Sequence, residues 1–223
     1  MSRPEISLTA PGLDFAAYDR VTSVLDWVSR GELLNWRGKV GNQEANRVSK
    51  KALKRGTEVH AWIADLLSGR KPKKVSGFEA ENAIQAWKEW ADLNEASLKT
   101  VRTIEQRVFN HSLCLMGQPD LAAAGEIFDW KVSKRIRWPH LWQANEYCWL
   151  SGISRYRIVR LDPDLGIFEE LKKPYNEDRH EAFLGALKAY RQWKLDSGET
   201  KGNQEDAKEE EHSSESADGK VET

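Results

Sequence analysis

The sequence has little cysteine and no long apolar run. Its 223 residues include only Cys114 and Cys148, too few for a disulfide framework or for the four thiolates of an iron–sulfur cluster. No stretch approaches the about 18 consecutive apolar residues of a membrane-spanning helix, and the first residues lack the apolar block of a signal peptide. These absences favour a cytoplasmic protein with two reduced, buried thiols and no association with a membrane.

The chain also lacks an overall excess of charge, but its charges are unevenly distributed. The 34 basic and 35 acidic residues nearly cancel. Residues 196–223 carry ten acidic and three basic residues, whereas residues 1–195 carry 25 acidic and 31 basic ones. The last segment is too polar to bury a core and is expected to be a disordered acidic tail. The mildly basic remainder is a weak indication of a polyanionic partner.

Helical patterns dominate the first third of the sequence. Ser23 and Asp26 resemble a capping box at the start of a helix over 24–29. A long helix is expected over about 43–67, because apolar residues recur there at helical spacing. Ser76 and Glu79 predict the cap of another helix that ends near Asn94.

The pattern changes to strands near residue 98. A strand is expected over 101–109, with a continuation over 113–116. Segments 119–123 and 126–132 are separated only by Ala124-Gly125, which indicates a two-residue hairpin. A helix over about 139–150, strands over 155–161 and 167–171, and a final helix capped by Asn176 and ending near Leu195 complete the order.

The hairpin places two carboxylates opposite each other. A two-residue turn at Ala124-Gly125 pairs position i with position 249 − i, so Asp120 faces Asp129. Opposed side chains have Cβ atoms about 4.5–5.5 Å apart, and like charges at that distance repel. A bound divalent cation such as Mg²⁺ removes the repulsion, because hard cations prefer carboxylate oxygens.

Lys131 lies on the same side of its strand as Asp129, since strand side chains alternate between faces. There the ammonium group can orient or deprotonate a water molecule, or neutralise a phosphate. The alternative is an edge hairpin with an ordinary surface Asp–Lys pair. The apolar residues on both faces of these strands favour a buried central position, where ionised groups need partners or a metal.

His60 is a possible third ligand. It shares a helix face with Gly56, Ile63 and Leu67, and Gly56 is expected to let the helix approach a neighbouring element closely. A histidine on such a face is more often a hydrogen-bonded core residue, but beside an aspartate pair it also becomes a candidate metal ligand.

These residues together resemble the PD-(D/E)XK nuclease superfamily. The similarity is to the RecB-like branch, which includes phage-type exonucleases and mitochondrial genome-maintenance exonucleases, and it extends over about residues 21–171. It is carried by Gly56-Thr-Glu-Val-His60, Glu105, Gly117-Gln-Pro-Asp120, Phe128-Asp-Trp-Lys131 and Gln143-Ala-Asn-Glu-Tyr147. Each motif alone is weak, and the five in this order are specific.

The resemblance implies an α/β (α+β) fold with a restriction-endonuclease-like core, in which helices flank a central mixed β-sheet. It implies a nuclease domain over 1–195, with a helical N-terminal segment over about 20–95 and a catalytic core over about 100–195. The implied metal ligands are His60, Asp120, Asp129 and the carbonyl of Trp130, with Lys131 as the catalytic lysine. Gln143 and Tyr147 match a helix that supports the site and contacts nucleic acid. Glu105 matches an acidic position on the first core strand, where an ion pair with an arginine is the alternative.

The implied activity is hydrolysis of DNA with Mg²⁺ or Mn²⁺ and without an iron–sulfur cluster. An exonuclease acting on single-stranded or free ends is favoured, in recombination, repair or phage DNA processing within a bacterial or phage-infected cell. Three basic stretches, 50–55, 70–74 and 131–137, are expected to follow the phosphate backbone, and Trp138 or Trp142 to stack on bases. The alternatives are an endonuclease, a catalytically silent DNA-binding or scaffold protein, and an interaction protein whose acidic tail recruits a single-strand-binding or recombination protein.

Overall fold

A computed structural model describes residues 14–198. The predicted disorder of the acidic tail concerns mainly residues 199–223, which lie outside the described residues. Within 14–198 the helices are α1 Val21–Val28, α2 Arg30–Val40, α3 Asn42–Leu67, α4 Phe78–Leu93, α5 Glu95–Leu98, α6 Trp138–Ser151 and α7 Glu177–Ser197. The strands are β1 Asp19–Arg20, β2 Val101–Ile104, β3 Val108–Asn110, β4 Leu115–Gly117, β5 Leu121–Ala123, β6 Glu126–Val132, β7 Arg155–Leu161 and β8 Phe168–Pro174.

Five strands form the central sheet, in the order β2-β5-β6-β7-β8. Strand β5 is antiparallel to both of its neighbours, β2 and β6, whereas β6 and β7 are parallel and α6 connects them. Strand β8 returns antiparallel to β7. Strands β1, β4 and β3 form a separate, smaller sheet, in which β1 is parallel and β3 antiparallel to β4. The α/β fold with a central mixed sheet flanked by helices is therefore confirmed.

The core between the sheet and helices α3 and α4 is rich in tryptophan. Trp87 and Trp90 of α4 pack edge-on against Trp130 of β6, with ring centroids 6.2 and 5.0 Å apart. Phe128 lies on the same face of β6, and its ring centroid is 5.7 Å from that of Trp90. Because Phe128 and Trp130 point into this core, the alternate residue Asp129 points to the opposite face of the sheet.

Two helix caps differ from the sequence prediction. Helix α1 begins at Val21 after Arg20, so Ser23 lies inside the helix and does not cap it. Helix α4 begins at Phe78 after Gly77, and the hydroxyl of Ser76 instead donates to the carboxylate of Glu58. The serine that the sequence pattern predicted as the cap thus donates its hydrogen bond to a carboxylate of α3 instead. By contrast, the backbone N–H of Arg179 donates to the Asn176 side chain at 2.7 Å, as predicted.

The predicted strand over 101–109 is interrupted. Glu105 has a φ of 50°, and the chain on either side of it belongs to two different sheets, β2 in the central one and β3 in the smaller one. A non-glycine residue in the left-handed region costs about 1–2 kcal/mol. Because of this break, the Glu105 side chain does not follow the alternation of side chains in a continuous strand.

The prediction of two buried thiols is wrong for Cys114. Cys148 is buried in α6, but Cys114 is exposed in the turn before β4 and has a φ of 43°. The residues directly after Cys114 form the short strand β4, and their apolar side chains did not indicate a turn at Cys114.

The described residues divide into two compact units, one up to Phe183 and one from Leu184 onward. The first contains the central sheet and every candidate site residue. In the second, Gln192 donates to Asp196 at 2.9 Å within α7. None of the helices in the described part of the chain combines the length and apolar character needed to cross a membrane.

Candidate active site

The β5–β6 hairpin has the predicted register. Leu121 pairs with Phe128 and Ala123 with Glu126, so partner numbers add to 249. Ala124 and Gly125 have φ values of 51° and 73°, as the two central residues of a type I′ turn require. Asp120 directly precedes β5, and continuation of the register places it opposite Asp129.

His60, Glu105 and Asp120 converge at this end of the hairpin. His60 Nδ1 is 3.1 Å from Asp120 Oδ1 and 3.9 Å from Glu105 Oε1. The backbone N–H of Glu105 donates to the carbonyl of Asp120 at 3.0 Å, which extends the pairing of β2 with β5 by one residue. The expected alternative for Glu105, an ion pair with an arginine, is not what its contacts show.

The three carboxyl groups differ in their ionisation. Burial, reinforced by the charge of Asp120, raises the pKa of Glu105 to about 7. Burial also raises the pKa of Asp129 to about 6, although Lys131 opposes this. Burial acts in the same direction on Asp120, but His60, Lys131 and the Trp130 N–H outweigh it, so the pKa of Asp120 is lowered. Without a bound cation, ionising all three carboxyl groups at the same time is therefore unfavourable.

Lys131 lies against Asp129. Its Nζ is 2.7 Å from Asp129 Oδ2, and the side chain of Asp129 is only 1% exposed. The two groups form a buried ion pair. The predicted burial of the Asp–Lys pair is therefore correct, and the surface alternative is wrong.

The backbone of Trp130 is directed at the same site. Its N–H donates to Asp120 Oδ2 at 2.6 Å. In an extended strand the N–H and C=O of one residue point to the same neighbour, so the Trp130 carbonyl is also on the Asp120 side of β6. This is the orientation that a carbonyl ligand at this position needs.

Helix α6 places Gln143 and Tyr147 beside the hairpin. Gln143 Nε2 donates to the Tyr147 hydroxyl at 2.9 Å. Burial, together with the nearby charge of Asp129, raises the pKa of Tyr147, so its phenol stays protonated. A Cβ at Gly117 would lie 2.6 Å from the Tyr147 ring. Only glycine lets the tyrosine approach β4 this closely.

Gln118 is a candidate site residue that the sequence analysis missed. Its Nε2 donates to Glu105 Oε2 at 2.9 Å, and its Oε1 accepts from Arg107 Nε at 3.4 Å. Its backbone N–H also bonds to the Tyr147 hydroxyl. The position two residues before Asp120, within a motif already under consideration, was the available signal.

The donor atoms fit a hard divalent cation. One ligand atom from each of His60, Glu105 and Asp120 lies within 4.8 Å of the others. Asp129 adds a buried carboxylate on the facing strand. Carboxylate oxygens suit Mg²⁺ and Mn²⁺, and a single imidazole is compatible with Mn²⁺ in particular. The geometric group includes Glu105, which the resemblance had left without a clear role.

The basic stretches are more neutralised than their sequence indicates. Several of their cations pair with carboxylates of the chain itself: Lys51 and Arg55 with Glu79, Arg70 with Asp65, Lys134 with Asp164, and Arg137 with Glu32. Trp138 and Trp142 form an edge-on pair, with ring centroids 5.5 Å apart, and both are half-buried. Trp138 Nε1 also donates to Glu32 at 2.8 Å.

No family model matches the chain, and no curated protein matches it. Solved structures with a similar fold include LHK-Exo in complex with dAMP, at 11% identity and a TM-score of 0.42, with 83% of this chain and 95% of that chain covered. An alkaline exonuclease (LHK-Exo) from Laribacter hongkongensis has 11% identity and a TM-score of 0.40, covering 82% and 94%. SSO0001 has 12% identity and a TM-score of 0.39, covering 78% and 76%.

Proposed function

We propose that this protein is a metal-dependent DNA nuclease. One observation carries the proposal: His60 and three carboxylates meet at the open end of a buried hairpin, beside a single lysine. Structural ion pairs balance charge, whereas this group has an excess of acid that burial destabilises. A divalent cation is the simplest group that restores the balance.

The proposed ligands of Mg²⁺ or Mn²⁺ are His60, Asp120, Asp129 and the Trp130 carbonyl, as the resemblance implies, together with Glu105. When bound, such a cation would polarise the phosphodiester and favour formation of a nucleophile from water. The protein contributes the fixed direction of these ligands. His60 is held by Asp120, and Asp120 is held in turn by the Trp130 N–H.

Lys131 is the proposed catalytic lysine. Its side chain is 16% exposed, so the ammonium group is shielded from bulk water and still reachable from the site. In that position it donates a hydrogen bond to a phosphate oxygen or helps to orient the attacking water. Gln143 and Tyr147 are proposed to support this arrangement from α6, since Tyr147 is buried against Gly117.

DNA is the proposed substrate, with cleavage from single-stranded or free ends in recombination, repair or phage DNA processing. The basic body and the half-buried Trp138–Trp142 pair support a nucleic-acid partner. A single-strand-binding or recombination protein is the proposed partner of the acidic tail.

The test compares wild type with Lys131→Ala on end-labelled linear and circular single-stranded DNA, in Mg²⁺, Mn²⁺ or EDTA. We expect metal-dependent loss of the linear strand, and a reduction of about 10²–10⁴-fold in the variant. Lys99→Ala is the matched control, because Lys99 is 68% exposed, pairs with Glu95 and lies outside the three basic stretches. It should retain wild-type activity.

Cleavage of the circular strand would make the protein an endonuclease. Absence of cleavage in every metal, with retained DNA binding, would instead favour the catalytically silent scaffold. Truncation after Leu195 tests the tail separately: the nuclease activity should persist while any interaction made by the tail is lost.

A further inference from the structure

An open groove runs along α3 to the candidate metal site. It encloses about 590 Å³ and is lined by Leu53, Gly56, Thr57 and Ala64. Its remaining walls include His60 and Glu105, two of the proposed ligands. Whatever occupies the groove therefore also reaches the site.

Apart from His60, the residues of α3 that line the groove are not titratable. Positions 53, 57, 60 and 64 follow one another at intervals of three and four and share a face. The basic and acidic residues Lys51, Arg55 and Glu58 line a separate pocket. A solvated helix surface normally mixes charged and apolar residues, so the mostly uncharged lining of the groove favours an occupant with apolar surface.

Two residues of the groove are unfavourable for the protein alone. Leu53 is 73% exposed. Gly56 lies inside a helix, where glycine costs about 1 kcal/mol relative to alanine. A Cβ at Gly56 would meet nothing within 4 Å, so the expected close approach of another element to Gly56 is absent from the described residues. The missing side chain leaves space in the groove and not at a contact within the protein.

A nucleotide has the chemistry that this arrangement recognises. Its base and sugar present uncharged faces to Leu53, Gly56 and Thr57. Its phosphate can meanwhile reach a cation held at His60 and Glu105, since these residues form the end of the same groove. A purely apolar partner would leave the acidic end of the groove without a counterpart.

We propose that this groove is the subsite for the unpaired nucleoside next to the bond that is cut, and that Gly56 determines whether it fits. The proposal rests on the proposed nuclease function. Gly56 is a specificity-determining residue in this account: it admits the substrate by its small size.

The test fills the groove from the protein side. Gly56→Leu introduces a strong helix former into open space, so folding should be preserved or slightly improved. We expect the variant to bind a fluorescent single-stranded 20-mer of oligodeoxythymidine, in Ca²⁺, about tenfold or more weakly than wild type. KM for cleavage should rise, while Mn²⁺ affinity by calorimetry and the melting temperature are maintained. Gln85→Leu, at an exposed position of α4 outside the groove, is the control for an added leucine.

A second pair of variants leaves the helix propensity nearly unchanged. Leu53→Gln removes apolar surface from the groove, and Leu93→Gln does the same at a position of α4 with similar exposure, 76% against 73%. Only the first substitution should weaken binding of the oligonucleotide.

Each outcome decides a separate point. Unchanged oligonucleotide affinity in both Gly56→Leu and Leu53→Gln, with an active wild type, would overturn the subsite. Loss of Mn²⁺ affinity in Gly56→Leu would overturn it too, because the role of Gly56 would then be structural. A wild type that binds the oligonucleotide but cuts nothing would refute the nuclease function. The affinity of each variant relative to wild type would still test whether the groove binds the oligonucleotide. A wild type that neither binds nor cuts refutes both.

Discussion

The two ends of the β5–β6 hairpin contain buried acids in opposite circumstances. At the turn end, Glu126 is 7% exposed and its Oε2 accepts from Arg157 Nε at 2.5 Å. Arg157 also donates to Asn94 and Glu170, and its guanidinium lies over the Phe128 ring. The acids at this end thus have partners of the opposite sign.

At the other end, Asp129 is more deeply buried and less well compensated. Its lysine partner, Lys131, is shared with a site that also contains Asp120 and Glu105. Burial raises the pKa of both Asp129 and Glu105. Three positions along the same strand thus separate a balanced ionic network from one in which acidic groups outnumber basic ones.

This difference distinguishes a structural role from a functional one better than burial does. Glu126 and Asp129 are both buried, and both lie on the central sheet. Only the group with excess acid is improved by adding a ligand, and that property identifies a binding site. Four predictions test the contrast, in order of decreasing expected effect.

Removing the cation from the balanced end should be severe. Arg157→Met leaves Glu126 without its main partner, and we expect the free energy of unfolding to fall by about 3–5 kcal/mol. Urea denaturation measures this. Arg155→Met is the control, since Arg155 is 63% exposed and 3.6 Å from Glu126, and a change below about 1 kcal/mol is expected. Equal effects of the two variants would mean that Glu126 is not the reason for the burial of Arg157.

Adding a cation to the unbalanced end should stabilise the protein. At a Mg²⁺ or Mn²⁺ concentration 100 times the dissociation constant, the gain is about 2.7 kcal/mol. The melting temperature should rise on metal addition in wild type and in Arg155→Met. It should not change in Asp120→Ala, which loses a proposed ligand. A similar rise in Asp120→Ala would place the cation elsewhere.

The packing that joins α6 to the site can be tested at Gly117. Gly117→Ala forces the Tyr147 ring to shift, since the new methyl group would otherwise lie 2.6 Å from it. We expect a loss of about 1–3 kcal/mol in the free energy of unfolding and a reduced rate of DNA cleavage. Gly125→Ala changes a glycine of positive φ in the β5–β6 turn, away from Tyr147. It should affect stability with little effect on the rate, and the reverse result would contradict the positioning role of Tyr147.

Removing an acid should act in opposite directions at the two ends. Burial raises the pKa of Asp129 from 3.8 to about 6, so the folded protein without metal binds the extra proton more tightly than the unfolded chain. The contribution of Asp129 to stability should therefore decline as the pH rises from about 4 to 6, and this penalty is fully present above that range. Asp129→Asn removes the penalty but also the contact with Lys131, and we expect a net gain of about 1–2 kcal/mol at pH 7 in EDTA.

Glu126→Gln is the matched substitution at the balanced end. It should destabilise the protein, because Arg157 loses its ionised partner. Thermal unfolding of both variants in EDTA, from pH 4 to 8, provides the comparison. Destabilisation by Asp129→Asn under these conditions would show that the two ends do not differ.

Local chemistry made much of the fold predictable. The register of the β5–β6 hairpin follows from the two-residue turn, so the order of residues is enough to place Asp120 and Asp129 opposite each other. The limits of α3 and α6 lie within one or two residues of the expected ones, because apolar periodicity and the proline near the start of α6 determine them. The roles assigned to the site residues remain predictions that the nuclease and metal experiments must test.

Other features depend on partners that are distant in sequence. Ser76 donates to Glu58 instead of capping its helix, and the chain turns at Glu105 between strands of two different sheets. The exposure of Cys114 follows from the same small sheet, whose strands are too short for a recognisable alternation. Gln118 became a candidate only when Glu105, Arg107 and Tyr147 were seen around it.

The sequence by itself determined the hairpin with its opposed aspartates, the position of Lys131 on the Asp129 side, and the helical face of His60. Short-range geometry governs all three, since turn type and strand alternation leave few alternatives. Only the tertiary structure decided that Glu105 joins His60 and Asp120, that Arg157 neutralises Glu126, and that Gly56 opens onto a groove. Those contacts depend on how β2, β7 and α3 pack against the hairpin, and no local pattern encodes that packing.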